Sequence, residues 1–271
     1  MELIFRYLLI ISYDGTKYAG LQTQQNAQAI QPLIEKACLT LVNSYLKKAG
    51  LQLLPSLLLF PSGRTDAGVH AKGQTAHFSS PISLNIGSFV YGLNSLLPSD
   101  IRILHMYACP PSFHARFQAH SKWYRYTLQQ GSYADPFQRH YALYVPYTLD
   151  IEEMQKAALL LEGKHDFRSL INQNGLKRED TTRTIFHIHI KRSSEQIFID
   201  VWGKGFLYKM VRNIAGLLLQ VGKKNISLAT VEDILHKKER TILVPTAPAK
   251  GLCLMRVYYE EERLDLKPPK E

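Results

Sequence analysis

The hydrophobic pattern along the chain switches between a period of two and a period near 3.6 residues. Alternating polar and apolar positions predict strands with one buried face, and apolar positions spaced by three or four predict amphipathic helices. Strand-like stretches are 3–13, 74–79, 101–109, 124–129, 142–145, 184–190, 196–202 and 252–259. Helix-like stretches are 30–42, 86–93, 151–161, 206–221 and a shorter one that starts at Leu228. This order predicts an α+β protein with helices against mostly antiparallel sheet.

The sequence Cys109-Pro110-Pro111 is the best candidate for a domain boundary, because two prolines favour an extended connection. It divides the chain into an N-terminal domain over 1–110 and a C-terminal domain over 111–271. Residues 172–182 are polar and predict a loop, and the charged tail after Glu260 is expected to be loosely held.

The most informative segment runs from Gly63 to His70 and reads GRTDAGVH. Glycines at both ends indicate a shaped loop, and Asp66 has the cation Arg64 two residues before it. A carboxylate kept ionised by a cation can act as a nucleophile or base. Spacing alone favours a polar turn in which Thr65 and Asp66 hydrogen-bond their own backbone, because Gly, Asp and Thr are common in turns.

Charge adds a candidate partner. The chain has a net charge of +10, and residues 101–224 hold 18 Lys and Arg against 10 Asp and Glu. A basic surplus in one part of the chain indicates a polyanionic partner, although charge alone does not distinguish RNA, DNA and acidic membranes.

Cysteines and hydropathy bear on the compartment. Cys38, Cys109 and Cys253 are far apart, which argues for a reducing compartment rather than a disulfide framework. No apolar run approaches the roughly 20 residues of a membrane helix. The first eleven residues contain Glu2 and Arg6 and favour a strand over a signal peptide. We therefore expect a cytoplasmic protein that does not associate with membranes.

Several motifs in order along the chain resemble those of the tRNA pseudouridine synthase A family. They are GRTDAGVH at 63–70, YDGTKY at 13–18 followed by Gly20, FHARF at 113–117, KWYRY at 122–126, Phe206 with MVRNI at 210–214, and Gly251-Leu252. Two departures lie in the N-terminal half. Gly20-Leu21-Gln22-Thr23 lacks the Trp and Arg usual in the family, and the segment 43–61 is longer than expected.

The resemblance implies a fold, an activity and partners. The fold would be two ferredoxin-like, RRM-like halves with joined, mostly antiparallel sheets and a central basic cleft. The activity would be isomerisation of uridine to pseudouridine at positions 38, 39 and 40 of the tRNA anticodon stem-loop, by a homodimer that contacts the backbone phosphates. The reaction is redox-neutral and needs no cofactor, and the sequence contains neither a phosphate-binding glycine loop nor a metal-ligand set.

The resemblance also implies roles for individual residues. Asp66 would be the nucleophile, at C1′ of the ribose or C6 of the base, and Arg212 its ion-pair partner. Arg64 would assist base flipping, and Tyr124 would stack on the target uracil. Two further residues would contact substrate: Arg116 at a phosphate or as a loop-fixing contact, and Leu252 as an apolar wall of the base pocket.

Each assignment has a simpler alternative. Arg212 and Arg64 would serve as solvated surface residues, Tyr124 would pack in a strand, and Leu252 would be plain core. His187 and His189 face the same way on a predicted strand, and we interpret them as a surface pair because no third metal ligand is suitably spaced. For the whole protein, the rivals are a non-catalytic RNA-binding protein that retains the fold, and a nucleoside hydrolase.

Overall fold

The protein is described by a computed structural model that covers residues 4–24, 27–171, 180–239 and 241–260. The described residues fall into two compact units. Unit 1 comprises those of Met1–His120 with Arg256–Glu271, and unit 2 comprises those of Ser121–Met255. The α+β class predicted from the sequence is confirmed, and the pairing of the strands is mostly antiparallel.

Unit 1 is built around β1 (Phe5–Tyr13), which has an antiparallel neighbour on each side. These neighbours are β3 (His70–Ser80) and β4 (Ile101–Cys109), and the short β2 (Phe60–Pro61) pairs with β3. Two helices, α1 (Ile30–Lys48) and α2 (Ile86–Leu96), contribute apolar residues to the core. Burial of these apolar residues against the sheet is the main source of the stability of unit 1.

The helix α1 is longer than its apolar pattern predicts, so the long segment 43–61 begins inside it. The rest of the segment runs back beside the helix and is fixed by polar side chains. Asn43 exchanges two hydrogen bonds with the backbone of Leu54, at 3.0 and 2.8 Å. The Leu59 backbone donates to Glu35 at 2.9 Å and accepts from Gln31 at 3.0 Å. These bonds satisfy an extended backbone that has no strand beside it.

Unit 2 contains four antiparallel strands in the order β5 (Ala119–Gln129), β9 (Gln196–Gly203), β8 (Thr182–Ser193) and β7 (Gly163–Asp166). β6 (Leu143–Tyr144) pairs with β5 in parallel. Helices α3 (Ile151–Leu161), α4 (Met210–Gly222) and α5 (Leu228–Lys237) pack together, and α3 lies on β8. The final strand, β10 (Leu252–Tyr259), contributes residues 252–255 to unit 2 and 256–259 to unit 1.

The start of α4 differs from the prediction of a helix from Phe206. The helix begins at Met210, because Lys209 takes a left-handed conformation with φ of 57° and breaks the helical path. Phe206 therefore lies in the preceding loop, where its ring edge meets the Tyr124 ring at 90° with centroids 5.3 Å apart.

The face of the unit 2 sheet opposite the one that carries Tyr124 has stacked rings. Trp123 stacks on Trp202 with centroids 5.2 Å apart, and the rings of His187 and His189 stack at 6.1 Å. The buried Asp200 accepts the Trp123 indole N–H. The described residues contain no cluster of three or more His, Cys, Asp or Glu that could hold a metal, and no described helix is long and apolar enough to cross a membrane.

Candidate active site

Asp66 lies in a loop of unit 1 between β2 and β3, and buried polar side chains brace the base of this loop. The Ser62 hydroxyl donates to Gln74 Oε1 at 2.8 Å, and Gln74 Nε2 donates to the Gly63 carbonyl at 3.1 Å. Ser62 and Gln74 are almost wholly buried, so these bonds form away from solvent. The loop therefore leaves the sheet from a fixed origin.

Thr65 turns the loop so that its neighbours face outward. Its side chain is buried, and its hydroxyl shares a 2.8 Å hydrogen bond with the Tyr13 phenol at the end of β1. This long-range bond differs from the polar-turn alternative, in which the Thr65 side chain would hydrogen-bond its own backbone. On either side of Thr65, Arg64 is exposed and Asp66 is half-buried. A cation and a carboxylate thus lie on either side of a buried residue whose side chain is fixed by a long-range hydrogen bond.

The turn that follows β1 supports the same loop from outside. The Gly68 N–H donates to the Tyr18 carbonyl at 3.2 Å, and the Leu21 N–H donates to the Thr65 carbonyl at 3.3 Å. Gly20 has φ of +104°, and a Cβ placed on it would lie 2.6 Å from the Thr65 carbonyl oxygen. Only glycine permits both this conformation and this approach.

His70 and Leu21 complete the support. The Nδ1 atom of His70 accepts the Gly15 backbone N–H at 3.1 Å and lies 3.1 Å from an Asp14 carboxylate oxygen. Leu21, which stands where the family usually has Trp, is fully buried in the core. The first-turn motif thus shapes the loop that carries Asp66, and its change from Trp to Leu affects packing.

Arg116 is exposed in unit 1, and its motif is fixed by a buried histidine. The Nδ1 atom of His77 accepts the Ala115 backbone N–H at 3.1 Å, which requires that this nitrogen carry no proton. The Arg116 guanidinium lies 5.9 Å from the centre of the exposed Phe117 ring. Burial, together with the positive charges of His114 and Arg6, lowers the pKa of His77 from 6.5 to about 4.

We expect His77 to make the protein less stable as the pH falls. Between pH 6.5 and about 4 the unfolded chain binds a proton at this side chain and the folded chain does not. The free energy of unfolding therefore decreases through this window, by up to about 3 kcal/mol. His77→Asn, whose side-chain oxygen occupies a position equivalent to Nδ1 as acceptor for the Ala115 N–H, should have a shallower pH dependence in urea unfolding. Equal slopes for the two proteins would contradict this.

In unit 2, Tyr124 lies on β5 opposite Val201 of β9, and only 8% of its surface is exposed. The Phe206 ring meets it edge-on, which fixes the orientation of the phenol ring. Tyr126, two residues along the strand, is fully buried and donates from its hydroxyl to the Pro248 carbonyl at 2.8 Å.

Arg212 lies on the first turn of α4 and is bonded to the segment 245–251. Its Nε donates to the Ala247 carbonyl at 2.8 Å, and the Ala247 N–H donates to the Arg212 carbonyl at 3.1 Å. The next residue, Asn213, accepts the Thr246 hydroxyl at 2.7 Å and donates to the Leu170 carbonyl at 2.7 Å. We call the segment 245–251 the strap.

The strap crosses α4 at Gly216, where a Cβ would lie 1.8 Å from the Pro245 carbonyl oxygen. It leads directly into Leu252, which is buried and begins β10. Burial raises the pKa of the Tyr126 phenol, and the Arg212 guanidinium acts in the opposite direction, as expected for a cation near that ring. Arg212, Tyr126 and Leu252 are thus joined through the strap.

The structure groups the residues singled out in the sequence by unit. Arg64, Asp66 and Arg116 belong to unit 1, and Tyr124, Arg212 and Leu252 belong to unit 2. Sequence reasoning missed the residues that position them, above all Gln74, His77 and Asn213. Their contacts join positions between 11 and 43 residues apart along the chain, so no local pattern shows these contacts.

Comparison with known proteins gives one consistent result. A family model described as tRNA pseudouridine synthase matches residues 157–260. Proteins named tRNA pseudouridine synthase A from Limosilactobacillus reuteri (strain DSM 20016) and Bacillus licheniformis are 40% and 41% identical to the chain, over 94% and 92% of its length. One from Streptococcus pneumoniae (strain 70585) is 37% identical over 94% of the chain. The matches cover 97%, 97% and 99% of these relatives, so they extend across both units.

Proposed function

Because the chain belongs to the tRNA pseudouridine synthase A family, which is a family of isomerases, we propose that it converts uridine to pseudouridine in the anticodon stem-loop of tRNA. The bond between uracil N1 and ribose C1′ breaks, the base rotates, and C5 bonds to C1′. C5 loses its proton and N1 gains one, so the reaction is redox-neutral and requires no cofactor.

In this proposal Asp66 is the nucleophile and attacks the target nucleoside at C1′ or C6. A covalent intermediate divides one difficult displacement into two easier steps. Arg212 pairs with the carboxylate and keeps it ionised once RNA excludes water from the site. The bond from Arg212 Nε to the strap supports this role, because it holds the guanidinium in one orientation.

Three further side chains stabilise the flipped-out nucleotide. Arg64 occupies the space that the uridine vacates, Tyr124 stacks on the uracil, and Leu252 forms an apolar wall beside it. Stacking on an aromatic ring is worth about 1–3 kcal/mol per base, which offsets much of the few kcal/mol needed to extrude a base. Arg116, exposed at the end of its motif, contacts a backbone phosphate.

The observation that carries the proposal is the bracing of the Asp66 loop. Buried bonds to Thr65 and Gln74 and the close approach of Gly20 hold a half-buried carboxylate beside an exposed arginine. A protein that only bound RNA would gain nothing from a carboxylate fixed among phosphates, because the two repel each other. The braced loop therefore favours an enzyme over a binding protein.

One assay tests the proposal against both rivals. The protein is incubated with unmodified tRNA that carries tritium at uracil C5. We expect tritium to appear in water, because isomerisation replaces the C5–H bond with C5–C1′. Release of labelled uracil would instead identify a nucleoside hydrolase. Filter retention of intact labelled tRNA, with no release, would identify an RNA-binding protein.

We further propose that the protein acts in the cytoplasm as a homodimer. Three cysteines without disulfide bonds fit a reducing compartment. The segment that runs back along α1 exposes Leu51, Leu53 and Leu58, each by about half or more of its surface. Adjacent exposed leucines on a rigid segment are typical of an interface between subunits.

A further inference from the structure

A polar pocket of about 430 Å³ opens in unit 2, where β7 and β8 lie beside the loop that follows β9. This volume is within the range of small-molecule sites and exceeds the space that a single ion needs. The residues on which the argument rests are Lys164, Asp180, Thr182, Arg183, Thr184 and Lys204. Three cationic residues, two threonines and one aspartate thus line the pocket.

The cations are held in place by the sheet. Lys164 of β7 is paired with Thr184 of β8, and the Lys204 backbone N–H donates to the Thr184 carbonyl at 3.0 Å. Both lysine side chains are exposed at the rim. The Arg183 side chain is only 20% exposed, and its Nη1 donates to the Thr182 carbonyl at 2.5 Å. A guanidinium oriented by this bond, together with two exposed ammonium groups on the same pocket lining, suits an anion with several oxygens.

Asp180 lines the pocket, so one negatively charged group is already present beside the cations. One of its oxygens lies 3.6 Å from Arg183 Nη1, and its side chain is 76% exposed. The Thr182 backbone N–H and hydroxyl lower the pKa of Asp180, and the charges of Arg183 and Lys164 act in the same direction. The surroundings therefore stabilise negative charge, and the exposed carboxylate can move aside for a stronger anion.

The pocket is linked through Phe206 to Tyr124, the residue that we assign to base stacking. Lys204 is two positions before Phe206, a span of at most about 7 Å of backbone. The Phe206 ring in turn contacts the Tyr124 ring. An anion in the pocket would therefore lie close to a base stacked on Tyr124.

We propose that this pocket binds a phosphodiester of the tRNA backbone next to the target uridine, with Lys164, Arg183 and Lys204 around the phosphate. The inference rests on the proposed function, because it identifies tRNA as the source of the phosphate. Thr182 and Thr184 provide hydroxyls for the attached ribose, whose 2′-hydroxyl both donates and accepts hydrogen bonds. The pocket thus fixes the backbone while the base is turned out.

The test compares two double variants with the same loss of charge. Lys164→Gln with Lys204→Gln removes the rim cations, and Lys156→Gln with Lys237→Gln removes two exposed lysines from α3 and α5. We expect the first to weaken tRNA binding about tenfold or more at low salt. The slope of log Kd against log salt should fall by about 1 to 2, which corresponds to two lost phosphate contacts. The second should stay within twofold of the unchanged protein.

A third variant gives an effect of opposite sign. Asp180→Asn keeps the acceptor for the Thr182 N–H and removes the competing charge, so tRNA should bind a few-fold more tightly. Weaker binding by this variant, or equal behaviour of the two double variants, would overturn the inference. Binding of millimolar inorganic phosphate that depends on Lys164 and Lys204, with equal tRNA affinity for the two double variants, would assign the pocket to a small anion instead.

Binding and turnover separate the two proposals. Filter binding measures the pocket without any reaction, whereas tritium release measures isomerisation. At saturating tRNA the control Lys156→Gln, Lys237→Gln protein should turn over within a few-fold of the unchanged one. If the unchanged protein releases no tritium but the double variants still differ in tRNA affinity, the phosphate site stands and the enzymatic proposal fails.

Discussion

Asp66→Asn should release tritium from C5-labelled tRNA at least about a thousandfold more slowly than the unchanged protein, while its tRNA affinity stays within a few-fold. The neutral amide has nearly the same shape as the carboxylate but cannot act as the nucleophile, so the covalent step is lost. The loop itself should persist, because its bracing bonds run through Thr65, Gln74 and backbone atoms. Single-turnover tritium release and filter binding on the same preparation give both quantities.

Asp233→Asn is the matched control for this change, because Asp233 is exposed on α5 in unit 2. It removes the same charge at a position that we assign no role, so both its rate and its affinity should be unchanged. Substantial tritium release by Asp66→Asn would remove Asp66 from the reaction. A large loss of affinity in that variant would instead indicate that the carboxylate shapes the RNA-binding surface.

Gly20→Ala should lower turnover at least about a hundredfold, although Gly20 has no chemical role. The added Cβ would lie 2.6 Å from the Thr65 carbonyl oxygen, and φ of +104° is strained for alanine. The backbone on either side of Asp66 must move, and a displacement of about 1 Å in a reacting group can cost about a hundredfold in rate. The measurements are tritium release at saturating tRNA and thermal unfolding.

Gly50→Ala separates displacement of the loop from loss of stability. Gly50 also has a positive φ, +69°, but a Cβ on it would meet no atom within 4 Å. This variant should lose about 1–2 kcal/mol of stability from backbone strain and keep its full turnover. Equal turnover losses in the two variants would show that stability, and not the position of Asp66, determines the rate.

Much of the fold could be predicted because most elements are stabilised by one continuous apolar face. β4 and β10 have the predicted bounds, and α3 begins and ends as predicted, with Asp150 capping its first turn. β7 was missed because its four residues, Gly163–Asp166, have no alternating pattern and are stabilised by pairing with β8. Its formation depends on a partner about 20 residues later in the chain.

In the candidate site, too, local features could be predicted and long-range contacts could not. The motif around Asp66 predicts the reactive groups, because the family resemblance implies roles for residues at these positions. How those groups are held in place could not be predicted. The Thr65 hydroxyl bonds to Tyr13, 52 residues earlier, and the Arg212 guanidinium to Ala247, 35 residues later. Such bonds exist only after the chain has folded, so a local pattern contains no sign of them.

The strap on α4 has a consequence for the thermodynamics of RNA binding. A free arginine side chain loses up to about 2 kcal/mol of conformational entropy when a ligand immobilises it. Arg212 is already tethered through Nε, and Ala247 bonds back to its backbone. Its ordering is completed during folding, before any RNA arrives. Binding of tRNA should therefore cost less side-chain conformational entropy at Arg212 than at the exposed lysines of the pocket, Lys164 and Lys204.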